Sequence, residues 1–169
     1  MSNPVDSIQQ HLLIFEVAGH RCAIPTDRIR ELVHFAALAV SPGQPTILEG
    51  FLNLRGTAVP VMRLRRLFVP GIAEPHLHSP LVVIEYPEGP MAVLADRVED
   101  VISGDHVGLR PIEGPHSINE VAEGQFTLGG QDVILLSCDR LLLEKERQCF
   151  SELQAEAQRR LDEAVVKRS

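Results

Sequence analysis

The sequence predicts an all-β, barrel-like architecture that ends in one long helix. About nine short apolar or alternating runs recur, with turn signals roughly every 8–12 residues. Strand patterns never alternate with long helical ones, which argues against a doubly wound α/β sheet. After Ser137 the apolar spacing changes to steps of three and four: Cys138, Leu141, Leu142, Cys149, Phe150, Leu153, Ala157, Leu161 and Ala164 fall mostly on one helical stripe.

Met1–Gln10 reads as a flexible leader, and HLLIFEV (His11–Val17) as the first strand, turned by Ala18-Gly19-His20 into Arg21–Ile24. Pro25 suits the start of a short helix holding Asp27, Arg28 and Ile29, while Arg30–His34 fits either a strand or the end of that helix. SPGQP after Ala36–Val40 is a loop. The stretch that organises the chain is Gly50–Phe68, GFLNLRGTAVPVMRLRRLF, a hairpin turned at Arg55-Gly56. Alternation places Leu52 and Leu54 on one face and Phe51, Asn53 and Arg55 on the other. Pro60 cannot donate a ladder hydrogen bond, so the second strand is expected at an edge or beside a bulge. Leu64, Leu67 and Phe68 make about one helical turn before Pro70-Gly71.

PGIAEPHLHSP (Pro70–Pro80) is the expected boundary between lobes, followed by a hairpin of LVVIEY and MAVLA around PEGP. DRVEDVI (Asp96–Ile102) alternates, Gly104–Glu123 reads mostly as loop, and Gln125–Leu128 with Asp132–Leu136 closes the last hairpin around Gly129-Gly130. Ser137 is a fair helix cap for a helix of about 25 residues, longer than average. Glu156–Arg160 and Glu163–Lys167 are spaced to pair on its outer side. Two readings stay open: the stripe covers the chain's own strands, or its part beyond Phe150 projects to meet a partner or a second copy, through Phe150, Leu153, Ala157 and Leu161.

Composition narrows the function. A chain of 169 residues, 44% hydrophobic and 23% charged, buries a core without disulfides or metals. A net charge of −7, no tryptophan and one tyrosine argue against nucleic acid. The N-terminus has no signal-peptide pattern and no run is long enough to span a bilayer, so a cytoplasmic location is expected, with Cys22, Cys138 and Cys149 as reduced thiols.

Catalytic patterns do not accumulate. His76-Leu77-His78 is the one close histidine pair, and Pro75, Ser79 and Pro80 around it mark a solvated loop rather than a metal site. Asp96, Glu99 and Asp100 read as a charged sheet edge rather than an acid–base pair. No nucleophile elbow or phosphate loop is present. The expectation is a non-enzyme with no metal and no cofactor. Against this, Arg55, Arg63, Arg65 and Arg66 form a basic island, since no acid lies between Glu49 and Glu74. Arg55 beside Gly56 is displayed at a rigid turn, as a protein–protein hot-spot arginine would be.

NLRGTAVPVMRLRRLF resembles the signature of CheW-like domains: NLRG, three residues, PV, two residues, LR. The opening strands, the middle hairpin ending around Asp96 and the closing VILLSCDRLL are similar to the same family, over residues 11–145. The resemblance implies two intertwined five-stranded SH3-like β-barrels with residues 146–169 as a C-terminal helical extension. It implies an adaptor, without catalysis, between the cytoplasmic tip of a methyl-accepting chemoreceptor and the regulatory domain of a CheA-type histidine kinase. Carried over by position, the receptor side is Ile29, Glu31, Leu32, Gly50, Asn53, Arg55 and Gly56, and the kinase side is Arg110 and Pro111. Recruitment to membrane-associated receptor arrays follows, without membrane insertion. The family's usual acid in PVxDLR is Arg63 here, and the position near Pro115 is not aromatic. With a terminal helix longer than usual, these departures suggest a non-flagellar system such as surface sensing, twitching or second-messenger control; Arg65 and Arg66 are further specificity candidates. The competing readings are a self-assembling scaffold driven by the terminal helix, a regulatory domain related to the kinase's own, and a small barrel enzyme or ligand binder.

Overall fold

Apolar runs such as LLIF and LVVI have no polar face because their strands are covered on both sides. In the computed structural model, which describes residues 10–34, 37–68, 79–105, 107–112 and 118–168, Leu13, Phe15 and Val17 point into a core shared by two sheets, while Leu12 and Ile14 point into a core of their own sheet. Val82, Ile84 and Tyr86 against Leu81 and Val83 repeat this division in the other sheet. Period-two alternation therefore builds three cores: one inside each sheet's curl and one between them.

The strands are β1 (His11–Val17), β2 (His20–Pro25), β3 (Ile29–His34), β4 (Leu48–Leu54), β5 (Thr57–Met62), β6 (Pro80–Tyr86), β7 (Gly89–Leu94), β8 (Arg97–Ser103), β9 (Ala122–Leu128) and β10 (Gln131–Leu136). They form two five-stranded sheets ordered β8-β1-β2-β10-β9 and β3-β6-β7-β5-β4, consistent with SH3-like barrels. Among the described residues there are two α-helices, the short α1 (Ile118–Val121) and the 25-residue α2 (Glu144–Arg168).

The connectivity is a repeat with exchanged ends. The first half gives β1 and β2 to one sheet and β3–β5 to the other; the second half gives β6 and β7 to the second sheet and β8–β10 back to the first. DRIRELV before and in β3 and DRVEDVI before and in β8 are the same motif, and each strand carries a register irregularity after its first turn of pairing. The halves thus interlock and neither lobe is a continuous piece of chain.

Several expectations change. The short helix is a 3₁₀ turn over Thr26–Arg28, and Ile29 already has extended backbone as the start of β3, which brings the strands to ten. Strand β9 begins at Ala122 rather than Gln125. Ser137 makes no side-chain cap bond; Cys138–Arg140 is a 3₁₀ turn and α2 starts only at Glu144. There the Leu143 amide donates to the Glu146 carboxylate at 2.8 Å, which is how a glutamate three residues in caps a helix. Pro60 lies on an inner strand, beside a bulge at Glu49. In the first sheet β10 pairs with β2 through Val133, Ile134 and Leu135, whereas β5 pairs with β7 only at Val61 and Met62. Pro60 and Pro90 stand where the repeat has Ile134 and Arg21, and a proline has no N–H to offer the ladder. Helix α2 fills the resulting gap, running past Pro60, Tyr86, Pro90 and Met91 with Phe150 buried among the core residues. Its stripe covers the chain's own strands as far as Leu161. Glu156 and Arg160 pair at 2.7 Å, and Glu163 accepts from Arg159 at 3.0 Å; the expected Glu163–Lys167 pair falls on a side chain outside those described.

The leader up to residue 9, the connection over residues 69–78 with His76 and His78, and Pro115 also lie outside the described residues.

Candidate docking site

The Arg55-Gly56 turn joins β4 to β5 with both residues in left-handed backbone, φ 50° and 88°. A two-residue hairpin loop with both φ values positive matches the twist of its strands, and glycine takes that conformation freely while arginine does not. The Asn53 side chain stabilises it by accepting the Gly56 amide at 2.9 Å. The guanidinium of Arg55 then grips Glu31 on β3 with both arms, at 2.6 and 3.4 Å. Because β3 and β4 are the two edges of one sheet, this pair also shows the sheet curling until its edges approach. The Arg55 side chain is 71% exposed and Glu31 29%. Hydrogen bonding to Arg55 holds the Glu31 carboxyl below its usual range and raises Arg55.

The residues that the resemblance places on the receptor side divide by role. Leu32, half exposed, stands beside Glu31 on β3, and with Asn53 and Arg55 it faces solvent. Ile29 packs against the shared core. Gly50 is buried and structural: a Cβ there would sit 2.8 Å from the carbonyl oxygen of Ala39, which crosses the sheet edge to bridge Phe51.

The other lobe carries the second candidate. Arg110 bridges Gln125 on β9 and donates to Asp132 at 2.5 Å and to the Thr127 hydroxyl at 3.1 Å. The bond from Arg110, with a second from the Thr127 hydroxyl to the same carboxylate at 3.1 Å, holds the Asp132 carboxyl below its usual range. Pro111 is exposed beside it. Gly124 repeats the part of Gly50, with Arg110 oxygen 2.8 Å from where its Cβ would be.

The basic island does not survive folding as a patch. Arg63 is largely covered and pairs with the bulged Glu49 at 2.5 Å, Arg65 approaches Asp96 at 3.5 Å, and Arg66 bonds the Thr46 hydroxyl at 3.2 Å. The acids come from other parts of the chain, which a local reading of sequence does not see. Asp96 is likewise not on a solvent edge: its carboxylate accepts the Ala18 amide at 2.7 Å and holds the β1–β2 turn. Sequence reasoning also missed Gln154 and Gln158 on α2, whose side chains bond β5; polar residues four apart flanking the apolar stripe are the signal they left.

No group of metal-ligating side chains converges among the described residues. Burial pushes the Cys22 thiol to about 12 and the Cys138 thiol to about 11, so neither is a nucleophile at neutral pH. No described helix is long and apolar enough to cross a membrane.

Arg55 at its hairpin turn and Arg110 at its bridge to β9 are exposed charged features on the two lobes of a β-scaffold made of two interlocked five-stranded sheets. The chain belongs to the CheW-like domain family, whose pattern matches residues 11–146. It is 24% identical over 143 residues to the chemotaxis protein CheW of Klebsiella aerogenes, covering 83% of this chain and 86% of that one. It is 25% identical over 163 residues to a probable chemotaxis protein CheW of Rhizobium etli, covering 93% and 99%. The fold matches the scaffolding protein TtCheW from Thermoanaerobacter tengcongensis with a TM-score of 0.72 at 21% identity, over 82% of this chain and 96% of that one.

Proposed function

We propose that this chain is a non-enzymatic adaptor that couples the cytoplasmic tip of a methyl-accepting chemoreceptor to the regulatory domain of a CheA-type histidine kinase. Its place is the cytoplasm, at membrane-associated receptor arrays. The receptor docks on the lobe of Leu32, Asn53 and Arg55, and the kinase domain on the lobe of Arg110 and Pro111. The observation that carries this reading is the arginine at the hairpin turn. The equivalent turn of the repeat uses Gly129-Gly130, both left-handed and unstrained, whereas Arg55 keeps a long side chain in a conformation that costs an L residue roughly 1–2 kcal/mol. Such strain is retained where the side chain is needed. Arg55 would engage carboxylates on a receptor helix, with Leu32 meeting its apolar stripe.

The test is a pull-down with the receptor tip and, separately, the kinase regulatory domain. Arg55→Glu should abolish capture by the receptor and leave kinase capture intact; Arg110→Glu should do the reverse. Retained receptor capture by Arg55→Glu would refute the site. A non-flagellar pathway is the finer assignment; its support is the length of α2, 25 residues, since Arg63 turns inward, and neighbouring receptor, kinase and methyltransferase genes would decide it. The scaffold alternative has support in the exposed Val165 and Val166 at the end of α2, and light scattering of the chain shortened after Asp162 tests it: self-assembly that vanishes on truncation favours the scaffold.

A further inference from the structure

The outer side of β5 is where the two lobes differ most. β5 pairs with β7 only at Val61 and Met62, and the backbone groups of Gly56 and Ala58 on that side lie beyond the ladder. Two glutamines of α2 replace it. Gln158 accepts the Ala58 amide at 2.8 Å and donates to the Gly56 carbonyl at 2.8 Å. Gln154, one turn earlier, donates to the Ala58 carbonyl at 3.0 Å. The spacing fits: four residues of helix rise about 6 Å, and two residues of strand span about 6.7 Å, so an i, i+4 pair matches alternate carbonyls of an antiparallel strand. Gln158 is held in turn by Asp162 at 3.1 Å.

Gly56 is half of the Arg55-Gly56 turn. Its amide is held by Asn53 from within the hairpin and its carbonyl by Gln158 from the helix. We propose that α2 is a clamp on the docking turn: Gln158, with Gln154, positions Arg55 from the far end of the chain, so that docking strength depends on a helix that need not touch the partner. The affinity part of this inference rests on the docking reading above; the clamp itself does not.

The experiment uses the full chain with Gln158→Met, which keeps the length and helical preference of the side chain and removes its hydrogen bonds. Amide hydrogen exchange at Ala58 should rise about tenfold while protection in β1 and β6 is unchanged, because the opening is local. The dissociation constant for a receptor-tip fragment should rise about 3- to 10-fold, the factor by which the binding-competent turn is depopulated. Affinity for the kinase regulatory domain should not move, which a merely structural role would not predict. Gln154→Met, losing one bond, should give a smaller effect in the same direction. Unchanged exchange at Ala58 overturns the clamp. So does unchanged receptor affinity where Arg55→Glu abolishes binding. If Arg55→Glu binds normally, the docking reading is what fails, and exchange at Ala58 alone decides the clamp.

Discussion

Gly50 stands among the residues assigned to receptor docking, yet the structure makes it a packing residue, and Gly50→Ala separates the two. Its φ is 156°, outside the range that L residues favour, and an added Cβ would lie 2.8 Å from Ala39 oxygen and 2.9 Å from Leu38 Cβ. The nearest obstacle is backbone, so relief means displacing the crossing segment. That segment is tied down by two hydrogen bonds, Ala39 amide to Phe51 oxygen at 2.9 Å and the reverse at 2.8 Å. Backbone strain of about 1–3 kcal/mol and two weakened bonds at about 1 kcal/mol each give a loss of about 3–5 kcal/mol. For a chain of this length that is a fall in Tm of roughly 10 °C, read by circular dichroism. Gly124→Ala should match it, since its Cβ would meet Arg110 oxygen at 2.8 Å and the Arg110–Gln125 bridge has two bonds of 2.8 Å. The control is Gly130→Ala, left-handed at φ 80° but with nothing within 4 Å; its cost is conformational alone, roughly 1–2 kcal/mol. If Gly50→Ala melts no lower than Gly130→Ala, the close approach is not what Gly50 is for, and direct contact with a partner becomes the better account.

Arg55→Gly should leave the melting temperature unchanged or raise it, because relief of about 1 kcal/mol of left-handed strain outweighs or balances an exposed ion pair, while receptor capture is lost; a large destabilisation would contradict the strain reading. Acid titration should expose the carboxylates held down by arginines. Glu31, Asp132 and Asp139 all have lowered folded values, through Arg55, Arg110 and Arg28. Their contribution is therefore present above the unfolded carboxylate range near pH 4 and is lost as pH falls through the folded values. Carbon-detected NMR titration of these side chains should show midpoints below those of free Asp and Glu, and ordinary midpoints would remove the pairs.

Much of the fold was legible because strand patterning is local. The runs LLIF and LVVI announce strands covered on both faces, and the hairpin turns at Arg55-Gly56 and Gly129-Gly130 are marked by their glycines. What was not legible depends on residues distant in sequence. The basic island looked unopposed because Glu31, Glu49 and Asp96 reach its arginines only after folding. Pro60 pointed to an edge or a bulge; the bulge is there at Glu49, but the strand is an inner one, because β7 still pairs at Val61 and Met62 and α2 covers the part that β7 does not reach. The repeat is written in the chain as DRIRELV and DRVEDVI, but windows of 11–18 residues tuned to helix and strand periods do not register it. At the candidate site, Arg55 was readable from its turn; the second hold on that turn, Gln158, lies on an element whose packing direction no periodicity specifies.

The repeat supplies the last step. Two interlocked copies of one five-strand pattern would by themselves present two similar ends, and a symmetric module suits two similar partners. Here the ends have diverged at positions that occupy the same place in each half. One turn carries Arg55 and the other Gly129; one ladder is cut short by Pro60 and Pro90 and the other runs on through Ile134 and Arg21. The prolines remove strand pairing on one side only, and that loss gives α2 its seat beside a single turn. In the other lobe Arg21 performs the corresponding closure, bonding Glu99 of the edge strand at 2.9 Å and the Leu128 carbonyl at 2.8 Å, so its Gly-Gly turn needs no helix. Arg110 and Asp132 then supply a separate charged feature on that lobe. The asymmetry lies in how each turn is backed, while the strand order stays the same, and it is the difference that the proposed coupling of two unlike proteins calls for.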